Sequence, residues 1–206
     1  MQNNVEVPLL PREPALLIVL SGPSGAGKDS ICDVLRGWYP TMRRVVTVTT
    51  RPVRPGEEDG KHYHFISEPE FQTILDTGGF VEHAQVYDYR YGVPRIGIED
   101  PLSFGLDVIA RVDVQGASTL KRLFPDAVLI FVSPGSIEET ARRMKSRDLD
   151  TEEQQQRRKE IAASELGQAK DFDYVVVNEA GRLQEAASEV AKIIAAEKKR
   201  RGAPKE

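Results

Sequence analysis

The chain alternates short apolar runs with amphipathic segments, which predicts a parallel β-sheet flanked by helices. Residues 15–20 (ALLIVL) form a continuous apolar run, typical of a strand buried on both faces. Ile31, Val34 and Leu35 follow at helical spacing, so a strand, a loop and a helix are expected in succession. The same patterns predict strands at 44–50, 62–66, 79–87, around Tyr91, 107–113, 127–132 and 173–177, and helices at 68–76, 115–123, 136–147, 151–169 and 183–199.

The middle of the chain differs from its two ends. Strands and helices alternate at both ends, whereas residues 47–97 carry short strands and hairpin signals, which indicates a small inserted α+β lobe. The charged run EKKRRGAPKE at 197–206 is expected to fray into solvent. The predicted organisation is a loose leader at 1–14, a core of 15–46, 99–135 and 170–200, a lobe at 47–98, a charged helical lid at 136–169 and a flexible tail at 201–206.

Composition narrows the class of protein. The 206 residues carry a net charge of −4 and are 40% hydrophobic, which is ordinary for a globular chain and argues against a role in binding long nucleic acids. No run approaches the roughly 20 apolar residues of a membrane helix, so no membrane association is expected. The single Cys32 cannot form an internal disulfide, and the first 13 residues lack a secretion-signal pattern, so a cytoplasmic location is expected. The sequence predicts no particular oligomeric state.

A glycine-rich loop between the first strand and helix predicts a phosphate-binding site. Its residues match the first seven positions of the G-x-x-x-x-G-K-[ST] motif. Glycines let the backbone wrap a phosphate, the helix N-terminus favours an anion, and the lysine reaches the β- and γ-phosphates. The loop comprises Gly22, Pro23, Ser24, Gly25, Ala26, Gly27 and Lys28.

The last motif position departs from the pattern, because Asp29 stands where a Mg²⁺-binding hydroxyl is usual, with Ser30 next. Asp29 could offer Mg²⁺ a carboxylate oxygen, or Ser30 could take the place of the usual hydroxyl. Alternatively, Asp29 only stabilises the helix N-terminus through the helix dipole. The sequence leaves open whether Asp29 binds Mg²⁺ or only stabilises the helix.

Several further stretches resemble the guanylate kinase family, over about residues 16–197. These are GPSGAGK at 22–28, TTRPVRPGEEDGKHYHF at 49–65, EF at 70–71, FVEHAQV at 80–86, YG at 91–92, VDVQGA at 112–117 and VVVN at 175–178. The resemblance implies phosphoryl transfer from ATP to GMP with Mg²⁺ as cofactor. It also implies a P-loop NTPase-type parallel sheet core with helices on both faces, an inserted small α+β GMP-binding lobe and a helical lid.

The resemblance also implies roles for individual residues. Arg51 and Arg54 would grip the GMP phosphate, a task that suits their planar guanidinium groups, and Tyr63 and Tyr91 would reach the same phosphate. Guanine presents N–H donors that a carboxylate can accept and that adenine lacks. The residues implied to read the base are Thr47, Glu82 and Asp113, and Gly92 is implied to be part of the GMP-binding site.

On the ATP side, the resemblance implies that Arg147 and Arg158 neutralise the transferring group, with Arg143 a weaker match. Asn178 would lie near adenine. Asp113 closes a predicted strand and could also approach Mg²⁺, as strand-end carboxylates do in other phosphate-loop enzymes. The expected catalytic residues are Lys28, Arg51, Arg147 and Arg158.

Two alternatives remain open. Asp29, Ser30 and Val93 also resemble a related kinase that phosphorylates ribose 1,5-bisphosphate, although such a kinase has no use for a guanine-reading carboxylate. Val93 follows Gly92 where the guanylate kinases often have a serine, so one hydroxyl contact to the nucleotide is absent from the side chains here. Guanylate-kinase-like domains also occur as non-catalytic binding modules, but the intact loop at 22–28 disfavours that reading.

Overall fold

A computed structural model describes residues 5–86, 88–135 and 166–203. The strands are β1 (Leu17–Ser21), β2 (Arg43–Arg44), β3 (Val48–Thr49), β4 (His64–Phe65), β5 (Phe80–Val86), β6 (Tyr89–Pro94), β7 (Val108–Arg111), β8 (Val128–Pro134) and β9 (Tyr174–Asn178). The helices are α1 (Lys28–Trp38), α2 (Glu68–Asp76), α3 (Ile96–Ser103), α4 (Val114–Leu123) and α5 (Leu183–Gly202), with a short 3-10 helix at Ala169–Asp171.

A five-stranded parallel sheet forms the core, in the order β2-β7-β1-β8-β9. All five residues of β1 are buried, and alternate side chains enter opposite faces, as the continuous apolar run predicts. Ile18 and Leu20 pack with α1 and α5 on one face, whereas Leu17 and Val19 pack with α3 and α4 on the other. The predicted parallel sheet with helices on both faces is confirmed.

The middle of the chain forms a second sheet of four strands, in the order β4-β3-β6-β5. β5 and β6 pair antiparallel, so the predicted hairpin is confirmed. Helix α2 begins with a capping box, in which Ser67 and Glu70 bond each other's backbone, and it buries Phe71 against Val48 and Phe80. This small separate core explains how the lobe holds its shape beside the larger sheet.

The single strand predicted over 44–50 is wrong, because this segment serves both sheets. β2 pairs with β7 in the core sheet, while β3 pairs with β4 and β6 in the lobe. A β-branched run favours extended backbone without saying which neighbour it pairs with. The sequence also did not predict α3, whose internal Pro101 is unusual in a helix.

The charged run near the C-terminus does not begin to fray at residue 197, because α5 continues to Gly202. Glu197 and Lys198 are buried within it. The Lys198 ammonium lies 2.7 Å from the Asp107 carboxylate at the start of the β7 segment, and it also donates to the Pro14 carbonyl at 2.7 Å. The charge run that is predicted to be solvated therefore contributes two buried side chains, and Lys198 pairs with the largely buried carboxylate of Asp107.

Residues 5–14 have no helix or strand, yet they are held by polar contacts. The Tyr39 hydroxyl donates to the Pro8 carbonyl at 2.6 Å, and the Ser188 hydroxyl donates to the Glu6 carbonyl. These contacts differ from the loose leader that the sequence predicts. The predicted lid lies outside the described residues up to residue 165, and the domain boundaries stay predictions. None of the helices in the described parts of the chain has the length and hydropathy to cross a bilayer.

The buried face of α1 carries a cysteine. Cys32 is a free thiol with no exposed surface, packed among the side chains between α1, α5 and the sheet. Burial raises the pKa of Cys32 to about 12. The thiol is therefore a structural group of the core in the folded protein.

Candidate active site

The glycine-rich loop connects β1 to α1 in a conformation that depends on glycine. Gly22, Gly25 and Gly27 all have positive φ angles, of 127°, 83° and 89°. A Cβ atom at Gly22 would lie 2.3 Å from the Val132 carbonyl oxygen, so a side chain cannot be accommodated there without a backbone shift. The loop thus crosses close over β8 and begins α1 at Lys28.

Two side chains brace this loop from the inside. The Lys28 ammonium donates to the Pro23 carbonyl at 2.9 Å and also to the Gly22 carbonyl. The Asn178 amide, buried at the end of β9, donates to the Ala26 carbonyl at 2.8 Å. Asn178 therefore has a structural partner in the loop, and its predicted position near adenine stays a prediction.

A cavity of about 610 Å³ lies between the loop and the second sheet. It brings together most of the residues that the sequence singles out, from both sheets. Pro23, Ala26, Arg51, Arg54 and Gly92 are not among its lining residues, and Arg143, Arg147 and Arg158 lie outside the described residues. The predicted residues that line it are Gly22, Ser24, Gly25, Gly27, Lys28, Asp29, Ser30, Thr47, Tyr63, Glu82, Tyr91, Asp113 and Asn178.

Two carboxylates from different elements, Glu82 in β5 and Asp113 before α4, line the cavity. Burial raises the pKa of Glu82 to about 7, and the nearby Asp113 carboxylate raises it further in the same direction. Asp113 does not close a strand, as predicted, because β7 ends at Arg111; instead Asp113 is the N-cap of α4 and accepts from the Gly116 backbone N–H at 2.8 Å. An acidic pair on the wall of a cavity is a strong acceptor for a ligand that offers N–H groups.

Arg51 is almost completely buried, and its guanidinium already holds a carboxylate. One of its nitrogens donates to both Glu57 oxygens at 2.7 and 2.8 Å, and another donates to the Pro52 carbonyl at 2.7 Å. Burial alone would raise the pKa of Glu57, but the hydrogen bonds and charges of Arg51 and Arg54 together outweigh this effect and lower the pKa. The guanidinium also lies 5.5 Å from the centre of the Tyr63 ring. Glu57 thus fixes Arg51 beside Tyr63.

The other residues predicted to bind GMP in the lobe are held by local contacts. Arg54 is exposed, and its backbone N–H donates to Glu57 at 2.9 Å. The rings of Tyr63 and Tyr91 stand edge to face, with their centres 5.9 Å apart. A Cβ at Gly92 would lie 2.6 Å from the Phe80 ring, so this glycine is required by the packing within the lobe.

Asp29 makes contacts that neither sequence interpretation anticipated. One carboxylate oxygen accepts from Arg44 at 2.9 Å and the other accepts from Arg111 at 2.6 Å. Asp29 also lies in the first turn of α1, where its charge favours the helix dipole. Both of its oxygens are therefore engaged by arginines from the core sheet.

Arg111 is a cavity residue that the sequence reasoning missed. It ends β7, lines the cavity, and donates to the Tyr63 hydroxyl at 3.0 Å as well as to Asp29. Burial alone would lower the pKa of Arg111, but Tyr63 and Asp29 outweigh it and raise the pKa, so the guanidinium stays charged. A charged residue near the carboxyl end of a predicted core strand is the signal that could have found it.

The oxygen donors of the cavity suit a magnesium ion that is carried mainly by nucleotide phosphates. Ser30, Asp113 and Asp29 all line the cavity, and Mg²⁺ commonly takes only one or two protein oxygens beside phosphates and water. Among the described residues, no group of three or more His, Cys, Asp or Glu side chains could hold a metal by itself. The donor set therefore fits a nucleotide-bound ion. Both carboxylate oxygens of Asp29 are already bonded to arginines, so Ser30 and Asp113 are the better candidates to contact the ion.

Comparison with known proteins identifies the family. The family model described as "Guanylate kinase" matches residues 15–197. A guanylate kinase of Desulfitobacterium hafniense is 43% identical over 183 residues, which cover 89% of this chain and 90% of that protein. Guanylate kinase 2, chloroplastic/mitochondrial, of Oryza sativa is 40% identical over 192 residues, covering 93% of this chain and 67% of that protein.

Solved structures give the same result. A crystal structure of guanylate kinase from Anaplasma phagocytophilum superposes with a TM-score of 0.74 at 33% identity, covering 89% of this chain and 86% of that one. A shikimate kinase from Acinetobacter baumannii superposes with a TM-score of 0.51 at 15% identity, covering 90% of this chain and 96% of that one, a likeness that concerns the fold alone. With the matched family model, the identities to the curated relatives and the shared fold, the chain belongs to the guanylate kinase family.

Proposed function

We propose that this protein transfers the γ-phosphoryl group of ATP to GMP, giving ADP and GDP. The observation that carries the proposal is one cavity that is lined both by the phosphate loop and by the carboxylates of Glu82 and Asp113. The loop suits the phosphates of the donor, and the carboxylates suit the N–H donors of a guanine base. Family membership supports the same reaction.

Recognition of the acceptor base depends on the acidic pair. Ionised Glu82 accepts two hydrogen bonds from the N1–H and N2–H₂ groups of guanine, and Asp113 and Thr47 complete the polar surround. Adenine has an unprotonated N1 at this edge, so its lone pair would face a carboxylate. A buried acceptor left unpaired in this way disfavours AMP strongly.

Recognition of the acceptor phosphate falls to the aromatic and basic cluster of the lobe. The Tyr63 and Tyr91 hydroxyls reach the phosphate from the cavity wall, with Arg51 and Arg54 supplying positive charge. Arg51 lies 5.5 Å from the Tyr63 ring, and Glu57 holds its guanidinium in a fixed orientation. Because the pair is already formed, little side-chain entropy remains to be lost on binding GMP.

The chemical step needs alignment and charge neutralisation rather than a covalent intermediate. The attacking group is a GMP phosphate oxygen, which is largely ionised near pH 7, so no general base is required. Lys28 is proposed to reach the donor phosphates from the loop, and Arg147 and Arg158 are proposed to reach them from the lid. Mg²⁺, when bound with ATP, neutralises phosphate charge; Ser30 and Asp113 are proposed to lie nearest to it, with Asp29 held by arginines.

The proposed setting is the cytoplasm, with ATP and GMP as the partners and no role for nucleic acid or membrane. The lone Cys32, a buried free thiol, is consistent with a reducing compartment. Asn178 is proposed to border the adenine ring, because it lines the cavity while bracing the loop.

An ADP-release assay with three acceptors tests the function. GMP, AMP and ribose 1,5-bisphosphate are supplied separately with ATP and Mg²⁺, and only GMP is expected to give rapid turnover. Faster turnover of ribose bisphosphate would favour the related sugar-phosphate kinase that Asp29 and Val93 resemble, and turnover of none would favour a binding module. Glu82→Gln is the matched variant, and it should lose most of the preference for GMP over AMP.

A further inference from the structure

Arg111 joins the two halves of the cavity. Its Cα pairs with Leu20, one residue before the end of β1, so the side chain starts beside the phosphate loop. One guanidinium nitrogen lies 2.6 Å from the Asp29 carboxylate and the other lies 3.0 Å from the Tyr63 hydroxyl. The guanidinium carbon lies 5.3 Å from the centre of the Tyr63 ring. A single side chain therefore contacts both the donor loop and the acceptor lobe.

We propose that Arg111 is a positioning residue for the reaction, which sets the Tyr63 hydroxyl as a donor to the acceptor phosphate and is itself held by Asp29. The proposal rests on the proposed function, in which Tyr63 binds the phosphate of GMP. Arg111 was not among the residues implied by the family resemblance. Its role follows from the contacts it makes in this protein.

The direction of the hydrogen bond explains why the contact matters. A guanidinium has donors and no acceptor, so the Tyr63 oxygen must accept from Arg111. The single proton of the hydroxyl is then left to point away from Arg111, where a phosphate oxygen can accept it. A neighbouring cation also polarises the hydroxyl and strengthens the bond that it donates. Without Arg111, the hydroxyl would be free to rotate and to take other partners.

Asp29 completes the arrangement from the loop side. It follows Lys28 directly and holds Arg111 with one oxygen while Arg44 holds the other. The side chains of Arg44 and Arg111 are only 8% and 16% exposed, whereas that of Asp29 is 47% exposed. The carboxylate thus fixes two largely buried guanidiniums, of which that of Arg111 lines the cavity. Through Arg111, Asp29 therefore links the position of Tyr63 to the loop that is expected to bind ATP.

Calorimetric binding of GMP and of ADP to four proteins tests the proposal: wild type, Arg111→Met, Tyr63→Phe and the double variant. Methionine keeps the length of the side chain and removes its charge and donors. Arg111→Met should weaken GMP binding about 10-fold to 100-fold, the usual effect of losing a hydrogen bond to a charged group, and should weaken ADP binding much less. Tyr63→Phe in the Arg111→Met background should add little, because both changes break one linkage.

Two further variants supply the controls. Arg95→Met removes an arginine–carboxylate pair with Glu99 outside the cavity, and it should leave both affinities unchanged. Arg111→Lys keeps one charged donor and should recover part of the loss, mainly in the affinity for GMP. A side chain that served only folding would lower both affinities together with the unfolding temperature.

Unchanged GMP affinity in Arg111→Met, or losses that multiply in the double variant, would overturn the proposal. If Arg111→Met does not fold, Asp29→Asn is measured instead, because it leaves Arg111 in place and removes the charge that Asp29 presents to Arg111 and Arg44. It should weaken GMP binding by a smaller factor, again without adding to the effect of Tyr63→Phe, and additive losses would overturn the proposal. Failure of the function itself is separate, since it would appear as absence of GDP formation by wild type.

Discussion

The carboxyl groups of Glu82 and Asp113 approach each other across Gly116, so that a Cβ built on this glycine would lie 3.4 Å from each. Two like charges at this range in a partly buried cavity cannot both be ionised without cost. This relationship gives the protein a group that changes charge near neutral pH at the centre of its proposed base-binding site. Several measurable properties depend on it.

The affinity for GMP should fall as the pH is lowered through about 7, the pKa of Glu82 in the free protein, which burial raises first and Asp113 second. Only the ionised carboxylate accepts both guanine donors, and the ionised fraction falls about 10-fold between pH 8 and pH 6. Calorimetric titrations at these two pH values measure the change. Glu82→Gln serves as the control for titration of the GMP phosphate, and an equally steep profile in this variant would contradict the assignment.

Stability should show the opposite dependence. The pKa of Glu82 is raised from 4.5 to about 7 in the folded protein, so folding takes up a proton. The corresponding contribution to the free energy of unfolding is fully present below pH 4.5 and is lost as the pH rises through about 7. Glu82→Gln should therefore raise the unfolding temperature of the nucleotide-free protein at pH 8 more than at pH 5. An equal shift at both values would remove Glu82 as the cause.

Arg51→Lys should damage the use of GMP far more than the binding of ATP. Lysine keeps the charge but cannot hold both oxygens of Glu57 and reach a phosphate through a planar fork. We expect kcat/KM for GMP to fall about 10-fold to 100-fold, with the affinity for ADP nearly unchanged. Arg90→Lys, in the same lobe but outside the cavity, is the matched control. Equal losses for both nucleotides would count against a role at the acceptor phosphate.

Gly116→Ala should weaken GMP binding and lower the unfolding temperature. The new methyl group would lie 2.9 Å from the Cβ of Val112 and would also press on the two acidic side chains. Overpacking of this kind typically costs about 1–3 kcal/mol. Gly37→Ala is the control, because nothing lies within 4 Å of its Cβ position in α1 and alanine favours a helix. Thermal unfolding and GMP titration of both variants decide the matter, and similar behaviour of the two would exclude the steric explanation.

Lys198→Met should destabilise the protein while leaving nucleotide affinity intact. The ammonium is fully buried and paired with Asp107, so its removal leaves a carboxylate in a low-dielectric site, typically at a cost of about 3–5 kcal/mol. Chemical denaturation measures this loss, with the exposed neighbour in Lys199→Met as the control. A midpoint unchanged from wild type would mean that the buried pair contributes nothing.

Local patterns predicted the parts of the fold whose chemistry is local. The loop at 22–28 needs glycine torsions and a following helix, and both are readable from the residues themselves. The antiparallel hairpin and the buried strand β1 were equally accessible, because alternation and continuous apolarity report burial directly. The proposed acidic pair was identified through resemblance, and its raised pKa became visible only with the packing around it.

What the sequence could not predict depends on contacts between distant segments. The run at 44–50 divides between two sheets because its partners, β7 and β6, come much later in the chain. Arg111 acquires its contacts with Asp29 and Tyr63 from strand register, and a lone arginine in a strand pattern does not announce them. Lys198 reads as a solvated charge until the segment that carries Asp107 is placed beside it.

The Cys32 thiol on the buried face of α1 can report how often the core opens. Cys32 is the only cysteine of the chain, and its pKa of about 12 keeps it protonated in the closed core. An alkylating reagent therefore reacts only when the packing between α1 and the sheet opens, so labelling rates read the frequency of that opening without any engineered probe. Nucleotides that bind the neighbouring loop should slow the labelling, so the rate of alkylation of Cys32 should report occupancy of the site.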